Sequence, residues 1–104
     1  MRSSVPADDE TDVVTVNVVN HHLLNVVVFN VVQGHRDRLG DVTSASSMSF
    51  RLHLRRMVGG ELQLYADPVG ATRGVTSELL HVSAGDTVDW TLETDLARSH
   101  IEIH

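Results

Sequence analysis

The chain contains no cysteine. Disulfides, thiolate metal centres, cysteine nucleophiles and lipid-bearing cysteines are therefore excluded from it. Positive charge is scarce as well: 8 basic residues stand against 14 acidic ones, for a formal net charge of −6. Duplex-binding modules carry a basic stripe, and none is present, so nucleic acid is not an expected partner. No apolar run approaches the roughly 20 residues of a membrane-spanning helix, and the N-terminus has no signal-peptide apolar core. The expectation is a soluble chain. Phosphate loops, dinucleotide fingerprints, the G-x-S-x-G nucleophile elbow and EF-hand spacing are all missing. With no acid–base or nucleophile constellation in view, the chain reads as a non-enzyme without a cofactor.

What is present is two-residue alternation. The 104 residues suffice for one domain with a single core. The stretch LLHVSAGDTVDWTLE over residues 79–93 organises it. Leu80 and Val82 alternate before Ser83-Ala84-Gly85-Asp86; Val88, Trp90 and Leu92 alternate after it. Such alternation buries one face of a strand and wets the other. Trp90, the single tryptophan, falls on the apolar face and marks the centre of the core. The reading here is strand, tight turn, strand.

Residues 1–12, polar and acidic with one proline, read as an N-terminal arm, and residues 13–104 as the domain. Residues 13–19 form a Val-rich first strand, followed by a turn at Asn20-His21-His22. Residues 24–32 form a second whose β-branched density argues for strand over helix. Its near-continuous apolarity predicts a central strand, or one whose outer face meets something else. A turn over residues 33–37, a short strand over 38–42 and a Ser-rich connection over 43–47 come next. Met48, Phe50, Leu52 and Leu54 then alternate with Ser49, Arg51, His53 and Arg55, the cleanest two-residue period in the chain. Further strands are expected over residues 62–67, 75–82 and 87–93, with SHIEIH at the C-terminus as an added edge strand. Seven or eight short strands at this spacing predict an all-β antiparallel sandwich, an immunoglobulin-like or prealbumin-like Greek key.

The series VTVNVVN, LLNVVVFNV, RLGDV, MSFRL, ELQLYADPVG, SELLHV and GDTVDWTLE resembles small uncharacterised bacterial secreted or lipoprotein-type domains over residues 13–93. The resemblance implies a β-sandwich located outside the cytoplasm and carries no known activity. The chain lacks the lipidation cysteine of the lipoprotein form, so the resemblance does not extend to an anchor. A second, local resemblance lies in VSAGDTVDWTLETDLARSH, which is similar to a cupredoxin stretch that precedes a copper-ligating histidine, His100 being at that place. A type 1 copper centre needs a thiolate, and the cupredoxin Asn is Leu92 here. What carries over is a β-turn entering a buried strand.

Seven histidines raise the question of metal. His21, His22, His100 and His104 are the candidate ligands. His21 and His22 are neighbours and point to opposite faces of an extended chain. His100, Glu102 and His104 share a face if SHIEIH is a strand, but residues four apart on a strand lie ~13 Å apart, too far for one zinc whose ligands sit within about 2.2 Å. His35, His53 and His81 are isolated and read as solvent-facing or turn residues. Asp8, Asp9, Glu10 and Asp12 read as a solvated acidic arm before they read as a loose Ca²⁺ site. The serines around residues 43–49 read as a polar loop, and Arg51, Arg55 and Arg56 as a small basic patch on the wet face of the fourth strand.

These residues lead to a non-catalytic extracytoplasmic module for structure or protein interaction. Its partner is a protein or a second copy reached through sheet edges. Self-assembly through edge or terminal strands, as a dimer, other homo-oligomer or filament, stands level with a monomer whose edges are blunted by charge. The alternative from another class is a periplasmic histidine-based copper- or zinc-binding protein.

Overall fold

The computed structural model describes residues 12–104. The acidic arm with Asp8, Asp9 and Glu10 lies outside the described residues; Asp12 alone is inside them, its carbonyl accepting the Leu54 N–H at 2.9 Å. The protein is all-β, with sheets of four, four and two strands and no closure into a barrel.

The first sheet contains β1 (Val13–Asn20), β4 (Ser46–His53), β9 (Thr87–Leu92) and β10 (His100–Ile103), in the order β10-β9-β1-β4. The second contains β2 (Val26–Val32), β3 (His35–Val42), β6 (Leu64–Pro68) and β7 (Val75–Thr76), in the order β3-β2-β6-β7. A two-stranded ribbon, β5 (Glu61–Leu62) with β8 (Leu80–His81), closes one end. Alternation decides what lies between the sheets. Val14, Val16, Val18, Leu52, Val88, Trp90 and Leu92 from the first sheet share one core with Val26, Val28, Val42, Leu64 and Ala66 from the second. Trp90 is 1% exposed and is the largest of the fully buried side chains, as its position in the alternation predicts. Burying such a side chain stabilises the fold by a few kcal/mol, about 25 cal/mol per Å² removed from water. The arrangement is sandwich-like.

β2 lies between β3 and β6, a non-edge position that matches its apolar composition. Its outer-face residues Val27, Phe29 and Val31 are half-buried. Phe29 packs on Tyr65 with ring centroids 6.0 Å apart, and the Arg36 guanidinium caps the Tyr65 ring at 3.8 Å. The turn expected over residues 33–37 is shorter. Val32 pairs with His35, leaving Gln33-Gly34 as a two-residue hairpin loop with φ of 50° and 83°. Two positive φ values give the primed turn whose twist suits a hairpin, and glycine takes the second without steric cost.

Two expectations are corrected. First, the sheets are not wholly antiparallel: β1 and β9 pair in parallel, Thr15 beside Thr87 through Asn20 beside Leu92. More than sixty residues separate these strands in the chain, and the intervening chain passes through both other sheets, so no hairpin imposes antiparallel pairing. Second, the strands expected over residues 62–67 and 75–82 are each split. Gln63 separates β5 from β6, and Ser77 to Leu79 separates β7 from β8, because each stretch divides between the ribbon and the second sheet, the first passing from ribbon to sheet and the second from sheet to ribbon. Ser77 stands at the switch: its Oγ accepts the Leu64 N–H at 2.9 Å and donates to the Glu78 carbonyl. Among the described residues ten strand segments result in place of seven or eight. The strands flanking Ser83-Ala84-Gly85-Asp86 form as read from the sequence and take different partners. β8 pairs with β5 and β9 with β1 and β10, so the turn carries the chain from ribbon to sheet. It is anchored on β1, Gly85 N–H donating to the Val13 carbonyl and Thr15 N–H to the Asp86 carbonyl.

At the opposite end of β1, Asn20 is fully buried. Its Nδ2 donates to the carbonyls of Leu24, Val42 and Thr43 at 3.0, 3.1 and 3.2 Å, and its Oδ1 accepts the His22 N–H at 2.8 Å. One amide thus ties together the two connections that cross between the sheets, β1 to β2 and β3 to β4.

Candidate functional site: the open edges of the first sheet

The histidines do not gather. His21 Nδ1 lies 3.6 Å from the Glu93 carboxylate, and His22 Nδ1 accepts the Leu24 N–H within the β1–β2 turn. His100 is exposed on β10, and His104 Nε2 sits 2.7 Å from Asp89 Oδ2 at the end of the same strand. Each of His21, His22 and His104 is thus engaged by a local partner. Among the described residues no group of three or more His, Asp or Glu is placed to hold a metal ion. His81 is exposed 3.5 Å from Glu61, and His35 is exposed at the start of β3. His53 departs from the solvent-facing expectation: its Nδ1 is buried with no hydrogen-bond partner among the described residues. The arginine patch is also only partly on a strand. Arg51 lies on β4, whereas Arg55 and Arg56 belong to a single 3-10 turn, Leu54–Arg56, that follows it.

The outer face of the first sheet carries a polar row. Ser49 Oγ donates to Asn17 Oδ1 at 2.5 Å, Asn17 Nδ2 donates to Asp89 Oδ1 at 2.9 Å, and His104 bonds the other Asp89 oxygen. Glu102, directly opposite Asp89 in the β9–β10 register, approaches the same imidazole at 3.9 Å. The row runs from Ser49 on β4 to Glu102 on β10, acidic at the β10 end and without an acid at the β4 end.

Among the described residues four strands form sheet edges: β3 and β7 in the second sheet, β4 and β10 in the first. Exposed strand edges recruit further strands unless they are short, charged or bulged. β7 has two residues. β3 carries Arg36, Asp37, Arg38 and Asp41, and its pairing with β2 shifts at a bulge between Val28 and Phe29. β4 has neither protection. Its eight residues, Ser46–His53, include one formal charge, Arg51. There is no proline in β4 and no lysine anywhere in the chain. Gly40 of β3 leaves room for the Phe50 ring beneath it; a Cβ there would lie 2.9 Å from that ring. Beside that ring Met48 is 46% exposed although its strand phase points it toward the core.

The backbone direction of this edge follows from the ladder. Leu54 N–H bonds the Asp12 carbonyl, so the even-numbered residues of β4 exchange hydrogen bonds with β1. The N–H and C=O groups of Ser47, Ser49, Arg51 and His53 therefore point to the open side. On β10, His104 exchanges hydrogen bonds with Thr87 in both directions, at 2.7 and 3.2 Å. The groups turned outward there are those of Ile101 and Ile103.

Shallow clefts exist besides these edges. One, of about 280 Å³, lies at the β2–β3 hairpin beside Val58, Glu61, Gln63 and Leu79; another, of about 370 Å³, lies between His22, Arg73 and residues 94–97. Neither gathers a nucleophile with a base. Among the described residues no helix is long and apolar enough to cross a membrane.

No protein-family model matches the chain, and no curated protein is significantly similar to it.

Proposed function

We propose that the protein is a non-catalytic, extracytoplasmic β-sandwich module that works through protein contact, by adding a strand to the open edge of β4. The observation that carries this reading is the eight-residue edge itself, which no strand among the described residues covers, with the backbone groups of four residues directed outward and Met48 exposed beside them. Strand addition supplies main-chain hydrogen bonds for affinity and alternate side-chain positions for selectivity. The location outside the cytoplasm rests on the resemblance of the strand series to secreted and lipoprotein-type domains. A Greek-key sandwich of immunoglobulin-like or prealbumin-like form is the finer fold reading. It is supported by the way β1 and β4 pair in one sheet around the β2–β3 hairpin of the other.

The test uses Ser49→Pro. The Ser49 N–H points away from β1, so proline there removes an outward donor while leaving the β1 ladder intact. Peptides selected by display against the wild-type domain are expected to alternate apolar and polar residues and to lose binding to the Ser49→Pro variant. Selected peptides that bind both forms equally would place recognition elsewhere and refute the reading.

A further inference from the structure

The reading that β4 accepts a strand leaves open whose strand it is, and the first sheet itself contains one that fits. β10 is antiparallel to β9, β9 parallel to β1, and β1 antiparallel to β4, so the two edge strands of this sheet run in the same direction. We infer that the occupant of the β4 edge is β10 of a second copy, added in parallel, so that the sheet continues from copy to copy.

Backbone geometry restricts the choices. In an antiparallel pair, residues that exchange hydrogen bonds sit directly opposite and share a face; in a parallel pair, a residue that bonds outward sits beside one that does not. Outward-bonding residues on β4 are Ser47, Ser49, Arg51 and His53, on the wet face. Those on β10 are Ile101 and Ile103, whose partners Trp90 and Val88 face the core. An antiparallel β4–β10 contact would oppose Ile101 or Ile103 to Ser49 or Arg51 and reverse the faces. The parallel contact sets Ile101 and Ile103 beside Met48, Phe50 or Leu52, so apolar meets apolar and the sheet keeps one inner face. It also covers Met48 and the 39%-exposed Ile103 together.

Two symmetric contacts also satisfy the backbone, β4 with β4 and β10 with β10, both antiparallel. Charge separates the three. Neither self-pairing gains an opposite charge: β4 with itself offers Arg51 no acid, and β10 with itself offers Glu102 no arginine. The two registers of the β4–β10 contact that set both isoleucines beside apolar residues bring Glu102 beside Ser49 or Arg51, within reach of the guanidinium. The acidic end of the polar row, Asp89 and Glu102, thereby meets the end that carries Arg51 and no acid. A contact between two different edges is heterologous, and repeated along a continuing sheet, without a closing rotation, it makes an open chain of copies. Four residues of β10 overlap β4, so each contact is weak and the assembly depends on concentration and salt.

Charge reversal tests the pairing on the full chain, by light scattering over a concentration series with negative-stain images. Wild type is expected to grow without a fixed size and to disperse as salt is added. Arg51→Glu alone and Glu102→Arg alone each raise the concentration needed for assembly about tenfold. An equimolar mixture of the two variants restores assembly, because each β4 then meets an oppositely charged β10. Both residues are exposed, and unchanged urea midpoints confirm that the variants fold. A monomer at every concentration, a discrete dimer indifferent to Glu102→Arg, or a mixture that fails to restore assembly would overturn the inference. Selected peptides still binding wild type but not Ser49→Pro would, in those cases, leave the strand-addition reading standing.

Discussion

Replacing Asn20 is expected to cost more stability than any other polar substitution in the domain. Asn20→Leu keeps the branched four-atom skeleton and removes the amide that serves three carbonyls and one N–H. The Val42 carbonyl is deep in the core, where a lost partner costs about 1–3 kcal/mol. Leu24 and Thr43 are exposed and His22 is half-buried, so their freed groups reach water and each lost bond costs only about 0.5 kcal/mol. The sum is about 3 kcal/mol, or a fall in Tm of about 12–20 °C for a domain of this size. Urea unfolding followed by Trp90 fluorescence measures it, with the m-value unchanged. Asn20→Asp adds a sign test. At neutral pH its carboxylate faces three carbonyl oxygens in a dry site, so burial and repulsion raise its folded pKa above the unfolded value of about 3.9. The penalty is fully present above the folded pKa and disappears as pH falls below the unfolded one, so Asn20→Asp gains on Asn20→Leu with acidification. A loss under 1 kcal/mol for Asn20→Leu, or an Asn20→Asp penalty independent of pH, would refute the account of this amide as the tie between the cross-sheet connections.

Gln33→Asn is expected to stabilise by about 0.5 kcal/mol, since asparagine tolerates the left-handed φ of 50° better than glutamine and completes an Asn-Gly hairpin turn; an unchanged or lower urea midpoint would count against the turn geometry. Zinc or copper in excess is expected to leave Tm unchanged, because His21, His22 and His104 are engaged locally and no group of three or more His, Asp or Glu among the described residues is placed to hold a metal ion. A saturable rise would show a native site by mass action and revive the histidine reading.

Much of the fold was legible because burial imposes a period of two. Val14, Val16 and Val18, or Met48, Phe50 and Leu52, declare both the strand and its inner face from their spacing alone. The importance of Asn20 was legible by the same rule, as a polar residue in the buried phase of β1, yet its place in Asn20-His21-His22 made it read as a turn residue. Asn30 repeats the pattern in β2; it is 1% exposed, and its amide has no partner among the described protein atoms. The histidine candidates were a matter of count, and count says nothing about convergence. His104 and His21 each found a carboxylate on β9 or just after it, which only the β9 register reveals.

Local chemistry, then, was settled by the chain itself: which segments extend, which face of each is apolar, where Gly34 and the Ser83–Asp86 turn reverse direction, and that no thiolate chemistry exists. These follow from nearest neighbours, because a strand's pleat and a turn's φ values are short-range properties. Partner choice was not. That β1 lies parallel to β9, that residues 61–68 and 75–81 divide between two sheets, and that β4 and β10 become the opposite edges of one sheet depend on contacts between residues far apart in sequence. An alternating strand has no intrinsic preference between neighbours on its left and right. Only packing of the whole core around Trp90 selects them, and with them the edges left open to another chain.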